Sequence, residues 1–140
     1  MIAGVGIDVV DVASFRSLAA PSTPGARSRF IDATFTEQEV RYCESEAHGE
    51  AVLHFAGRFA CKEAAVKALD VAAAQLDLEP RPVPLIDVEV VRDARGRPTL
   101  RFTGSARTLI DALEIDRAHV SLSHDGGTAA GMVVLERRSR

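Results

Sequence analysis

The sequence has no tryptophan, and its aromatics are six phenylalanines and one tyrosine. A surface that stacks nucleic-acid bases needs more than that, so such a platform is disfavoured. A basic excess is also lacking. The 17 Lys and Arg are outnumbered by 20 Asp and Glu, for a net charge of −3. Coating DNA or RNA requires the opposite balance, so no nucleic-acid partner is expected. Cysteine is scarce. Cys43 and Cys61 form no C-x-x-C motif and have no further ligands nearby for zinc, so they read as two reduced thiols of a cytoplasmic protein. Long apolar runs are missing too: the first is cut by Asp8, no positive leader precedes it, and nothing is long enough to span a bilayer. No membrane partner is expected.

What is present is a globular composition. The 140 residues are 46% hydrophobic and 26% charged. One domain of that size buries roughly 70% of its unfolded surface, and the length predicts one domain and not two.

Hydrophobic patterning gives the order of elements. Met1–Val12, rich in Val, Ile and Gly, reads as a strand whose alternation puts Ile2, Gly4, Gly6, Asp8 and Val10 on one face. Asp11 suits an N-cap for a helix beginning at Val12–Leu18. Ala20–Ala26, with two prolines and a glycine, is a loop. A short apolar-containing piece, Phe30–Ala33, precedes Thr36-Glu37-Gln38-Glu39, a capping box that opens a helix through Tyr42 and Cys43, with Gly49 as its break. Ala51–Leu76 is the longest helical run, with Val52, Phe55, Phe59, Val66 and Leu69 at three- and four-residue steps. Glu79–Pro84 is a rigid connector. Leu85–Val91 and Thr99–Phe102 read as strands around a hairpin loop with Gly96. Ser105–Glu114 is a helix capped by Thr103 or Ser105. Ala118–His124 and Ala129–Glu136 are strands joined at Asp125-Gly126-Gly127. This order, one strand, several helices, two strands, a helix and two strands, predicts a single α+β domain with helices packed on an antiparallel-rich sheet.

Glu63 interrupts the long helix's apolar stripe between Phe59 and Val66, where a carboxylate is costly unless paired or metal-bound. The alternative is an i,i+4 pair with Lys67 at the edge of the stripe. Asp8 sits on a strand face thinned by Gly4 and Gly6, which leave room for close approach; alternatively it bonds the turn that follows. Together, Asp8 and Glu63 suit one hard cation. Magnesium takes one or two carboxylates and completes its shell with water and phosphate oxygens. Arg58, Lys62 and Lys67 flank Glu63 and suit a phosphate-rich ligand, or form a solvated basic edge. His124 ends a strand between Ser123 and Asp125. Direct strand neighbours point away from it, so no Ser–His–Asp triad forms, and a structural role is the alternative. Nucleophile-elbow, P-loop and dinucleotide fingerprints are absent.

Four stretches resemble the holo-[acyl-carrier-protein] synthases, a bacterial class of 4′-phosphopantetheinyl transferases. These are Gly4–Val12 (GVGIDVVDV), Phe30–Tyr42 (FIDATFTEQEVRY), Gly57–Leu69 (GRFACKEAAVKAL) and Val120–Asp125 (VSLSHD). They fall in the family's order and run nearly end to end. The resemblance implies transfer of 4′-phosphopantetheine from coenzyme A to a serine of apo-acyl carrier protein, with magnesium, releasing adenosine 3′,5′-bisphosphate. It implies magnesium ligands at Asp8 and Glu63 and coenzyme contacts at Arg58, Lys62, Lys67 and His124. Glu63 and Lys67 would be catalytic, Lys67 by neutralising the leaving group and Glu63, or a metal-held water, by taking the serine proton. It also implies a homotrimer with sites between subunits. The sequence departs from the pattern where Ser14 replaces an arginine associated with carrier-protein contact, and where Ala20–Ala26 is long. Arg16, Arg27 and Arg29 are the remaining candidates for docking an acidic carrier protein. Two other function classes compete: a non-catalytic binder of coenzyme A or a nucleotide, and a magnesium-dependent phosphatase or nuclease. The first has no need of both carboxylates, and the second lacks its nucleophile motif or further acidic cluster.

Overall fold

The computed structural model describes residues 1–45, 50–79 and 81–139. Strand β1 (Ile2–Asp11) leads into α1 (Val12–Leu18), α2 (Arg29–Thr34), α3 (Glu37–Ser45) and the long helix α4 (Ala51–Ala74). A single 3-10 turn, Leu85–Asp87, then opens the β2–β3 ribbon (Val88–Arg92 and Pro98–Phe102). Helix α5 (Gly104–Ala112) and the hairpin β4 (Ile115–Asp125) and β5 (Thr128–Arg137) complete the chain. The strands β1, β5 and β4 form one antiparallel sheet in that order, and among the described residues β2 and β3 pair only with each other. The α+β arrangement with an antiparallel sheet is as expected. Among the described residues no helix is long and apolar enough to cross a membrane.

Helix α4 lies on the inner face of the sheet at unusually short range. A methyl group added at Gly4 or Gly6 of β1 would overlap the carbonyl oxygens of Ala68 or Ala64, and one at Gly131 of β5 would sit 2.6 Å from Ala60 C and Cys61 N. The helix meets these glycines with its own smallest side chains: Ala60, Ala64, Ala68 and Ala72 are wholly buried. Of the larger apolar residues that mark the helical period, Phe55 and Leu69 are buried toward the two ends of the helix, while Val52, Phe59 and Val66 are only half-buried. Where the helix crosses the glycines the packed face is therefore centred on alanines, and only Phe55 and Leu69 of the predicted stripe are buried, because backbone-to-backbone approach leaves no room there for larger side chains.

Local signals hold at several ends. Asp11 accepts from the Ser14 backbone N–H at 2.9 Å and its hydroxyl at 2.7 Å. In the capping box, Thr36 N–H donates to Glu39 at 3.0 Å and Glu39 N–H to the Thr36 hydroxyl at 3.2 Å. Helix α4 stops at Ala74, two residues early, and β2 begins three residues late, after the 3-10 turn. Thr103 occupies the N-cap of α5 but makes no capping bond; Asp87 accepts from the Ser105 N–H instead. A bulge between Ile2 and Gly4 turns Ile2 out to solvent, so it leaves the face shared by Gly4, Gly6, Asp8 and Val10. The predicted break at Gly49 lies outside the described residues.

Candidate active site

The two glycines that admit α4 also place Asp8. It follows Gly6 on the same face of β1, next to the turn of α4 that carries Glu63 and Lys67. Lys67 Nζ donates to Asp8 Oδ1 at 2.9 Å and to the Ile7 carbonyl at 3.0 Å, joining helix to strand. The ion pair is thus Asp8–Lys67, and the alternative i,i+4 pairing of Lys67 with Glu63 does not form. Glu63 has no ion pair of its own among the described residues. Burial raises its pKa above the ordinary carboxylate value, the negative charge of Asp8 raises it further, and Lys67 partly opposes both. Asp8 and Glu63 share a groove of about 300 Å³ with Val10, Ser14, Phe59 and Leu18.

These donors fit a hard divalent cation. Both are carboxylates, they face one space, and their mutual repulsion is the kind a cation relieves. Among the described residues no three His, Cys, Asp or Glu side chains cluster as an all-protein metal cage. A cation held by Asp8 and Glu63 therefore leaves most of its shell to water and substrate oxygens.

A second, larger cleft of about 610 Å³ opens on the other side of α4. It is lined by Arg58 and His54 from α4, Arg92 and Arg97 from the ribbon and His119 and His124 from β4, and its three arginines outnumber its one carboxylate, Asp93, which pairs with Arg97 at 2.7 Å. Arg58 is 4% exposed, yet its Nε has no hydrogen-bond partner among the described residues. Its closest acceptor, the His54 carbonyl, is 3.4 Å from Nη1. Its guanidinium instead lies 4.0 Å from the centre of the Tyr42 ring, and Arg92 lies over the same ring at 4.7 Å. A buried guanidinium with a ring for company and no carboxylate partner is ready to receive an anion. His124 is exposed at the mouth of this cleft.

Arg58 and Glu63 are five residues apart, which turns them about 140° from each other on a helix. They accordingly open into different grooves within one chain.

Lys62, expected at the coenzyme, lies elsewhere. It is 0% exposed, and its ammonium is 2.7 Å from Glu39, itself wholly buried. Burial pulls its pKa down while Glu39 pulls it up. It points away from both grooves into the core, so it is neither a coenzyme contact nor part of a solvated basic edge. The docking candidates are partly engaged as well: Arg16 pairs with Glu50 at 2.7 Å, and Arg27 with Glu37 at 3.0 Å and Asp32 at 3.4 Å. Arg29 is exposed with no ion pair among the described residues. Burial pushes the thiols of Cys43 and Cys61 up to about 12, which leaves both inert.

Sequence reading missed Tyr42, His54, Arg92, Arg97 and His119. Tyr42, the sole tyrosine, stands three residues after Glu39 on the capping-box helix, which was a usable signal. The ribbon arginines carry none, because only tertiary packing brings the ribbon opposite α4.

Residues 4–128 match the family model of the 4′-phosphopantetheinyl transferase superfamily. Holo-[acyl-carrier-protein] synthase of Geobacter metallireducens is 41% identical over 138 residues, covering 98% of this chain and 99% of that protein. The Koribacter versatilis enzyme of the same name is 40% identical over 136 residues, 97% and 99% of the two chains. Among solved structures, acyl carrier protein synthase of Mycobacterium tuberculosis superposes with a TM-score of 0.72 at 35% identity, covering 99% of this chain and 100% of that one. A synthase–CoA complex from Chronobacterium ammoniagenes gives 0.75 at 29% identity, with 97% and 98% coverage. The α4 packing, the paired carboxylates and these near-complete matches lead to one conclusion: the chain belongs to the 4′-phosphopantetheinyl transferase superfamily and groups there with the holo-[acyl-carrier-protein] synthases.

Proposed function

We propose that this enzyme transfers 4′-phosphopantetheine from coenzyme A to a serine of apo-acyl carrier protein, with magnesium, and releases adenosine 3′,5′-bisphosphate. The observation that carries the reading is the convergence of Asp8, Glu63 and Lys67 where β1 meets α4. Asp8 and Glu63 would hold the magnesium, which when bound supplies positive charge to pyrophosphate oxygens. The chain's own residues do the rest. Lys67, anchored on Asp8 and the Ile7 carbonyl, sets an ammonium beside that position, and its help grows as charge builds on the leaving phosphate. The serine oxygen forms a bond to the pantetheine-side phosphorus, and the bond from that phosphorus to the nucleotide's phosphate oxygen breaks. The serine proton leaves to Glu63, the carboxylate here without an ion-pair partner among the described residues. Positioning and charge stabilisation of this kind are most of what phosphoryl transfer requires.

The cationic cleft takes the nucleotide end, with Arg58 and His124 on its phosphates. A homotrimer would bring the two half-sites together. Val5, Ile7 and Val9 on the outer face of β1 are 44%, 59% and 64% exposed, and Met132, in register with Ile7, is 45% exposed. A contiguous apolar strip of this kind suits burial against another copy. The reading places the enzyme in the cytoplasm.

The test is mass spectrometry of apo-acyl carrier protein incubated with this protein, coenzyme A and magnesium. A gain of one phosphopantetheine supports the proposal. No gain with an active carrier protein and a folded enzyme refutes it, leaving a binding module or a hydrolase.

A further inference from the structure

The buried pair Glu39–Lys62 stands behind the cationic cleft, and both side chains are wholly buried. Its hydrogen bonding is saturated on the lysine. Lys62 Nζ is 2.7 Å from Glu39 Oε1 and donates to the carbonyls of Leu85 at 3.1 Å and Val88 at 2.6 Å. Glu39 in turn accepts the Thr36 N–H at 3.0 Å and the Val90 N–H at 3.1 Å. Stability is a poor reason for such a pair, because well-packed apolar residues in its place are often neutral or stabilising.

What the pair holds is more telling. In β2 the backbone groups of alternate residues turn toward β3, as in the Thr103 N–H bond to the Asp87 carbonyl. Those of Val88 and Val90 turn the other way, at the edge of a ribbon that pairs with no other strand among the described residues. Val88 and Val90 are 0% and 4% exposed, so these edge groups cannot turn to water. Lys62 takes the Val88 carbonyl and Glu39 takes the Val90 N–H. The ion pair thus does for β2 what a neighbouring strand would do, with one donor and one acceptor.

The ribbon it holds is one wall of the cleft. Val90, Arg92, Arg97 and Thr99 face His119 and His124 of β4, with Arg58 and His54 on α4 between them. Arg92 follows Val90 by two residues and lies over the Tyr42 ring that Arg58 also faces.

We propose that Glu39 and Lys62 are positioning residues for the coenzyme: the pair pins the free edge of the β2–β3 ribbon to α3 and α4, and so sets the width of the cleft that grips the nucleotide end. The proposal rests on the reading of that cleft given above. It explains why a lysine one residue from Glu63 is aimed into the core.

Glu39→Gln is the sharpest probe, since it keeps the shape and removes the charge and one acceptor. Binding of adenosine 3′,5′-bisphosphate is measured by calorimetry, and steady-state transfer by varying coenzyme A. We expect affinity to fall and KM for coenzyme A to rise by about tenfold, the order expected for a lost hydrogen bond to a charged group, with kcat at saturation nearly unchanged. A purely structural defect would lower the active fraction, hence kcat, and leave KM alone. The double variant Glu39→Gln/Lys62→Met, which buries no lone charge, repeats the measurement if the single one fails to fold. Hydrogen exchange in the wild type needs no variant: protection of residues 88–92 must rise when the bisphosphate is added. Wild-type KM and affinity in a folded Glu39 variant, or unchanged protection at 88–92, overturns the proposal. Arg58→Ala separates the two failures. If Arg58→Ala binds the bisphosphate as wild type does, the cleft reading itself fails; if Arg58→Ala weakens binding and the Glu39 variants do not, only the clamp fails.

Discussion

Gly6→Ala should damage catalysis through a single methyl group that touches no substrate. Built on the native backbone, the new Cβ overlaps the Ala64 carbonyl oxygen and comes within 2.8 Å of Ala68 N and 2.9 Å of Ala64 C. These are helix backbone atoms, and no flexible side chain can yield in their place. Strand and helix must therefore separate. Overpacking of a core typically costs about 1–3 kcal/mol. At this chain length each kcal/mol moves the melting temperature by about 3–4 °C, so a drop of about 3–12 °C is expected. The larger effect is on geometry. Glu63 and Lys67 ride on α4 and Asp8 on β1, so the separation opens the Asp8–Lys67 contact, 2.9 Å in the native site. A displacement of about 1 Å in a reacting constellation can lower turnover by about 100-fold. Calorimetric melting and the transfer assay, both at saturating magnesium, measure the two effects. Gly127→Ala is the control, because its Cβ would meet nothing within 4 Å. If the glycine acts through Asp8, adding Asp8→Ala to Gly6→Ala should cost far less than it does in the wild type. A Gly6→Ala protein with native melting temperature and native turnover would refute the reasoning, since helix and strand could not then be in contact at this point.

Three further outcomes are expected. In chelator, Glu63→Gln should raise the melting temperature at pH 7, because the native pKa of Glu63 is raised and its ionised form opposes folding; this raised pKa favours the fold fully below the unfolded value of about 4.5 and the benefit is lost as pH rises through the native pKa, so melts from pH 4 to 8 should show the variant's advantage vanish toward pH 4. Arg58→Ala should mainly raise KM for coenzyme A, whereas Lys67→Ala should lower kcat as well, and equal small effects in steady-state kinetics would remove both from the site. Arg27→Glu/Arg29→Glu should weaken carrier-protein binding and leave coenzyme binding unchanged; because Arg27 already pairs with Glu37 and Asp32, most of the loss should come from Arg29. Titration at low and physiological salt tests this, and unchanged affinity would place the docking surface elsewhere.

The sequence by itself determined the local events. Asp11 as a cap, the Thr36–Glu39 box, the hairpin loop at Gly96 and the long helical run depend on residues a few positions apart, and each is found. Asp8 and Glu63 were legible because a carboxylate in an apolar setting is costly wherever the chain goes, and because they stand in recognisable motifs. Only the tertiary structure decided which side of α4 is buried. The large residues carry the helical period, but the glycines of β1 and β5 let a backbone come so near that alanine is the side chain that fits. That choice of face fixed the rest. It turned Lys62, an apparent member of a basic edge, into the core against Glu39, and left Arg58, one turn earlier, at the back of a cleft whose other walls come from residues 90–99 and 118–124. No periodicity within a helix can say which of its cations will meet a carboxylate and which will be left waiting for an anion. That depends on what the opposite surface offers, and here a ribbon edge with unpaired backbone groups took the lysine.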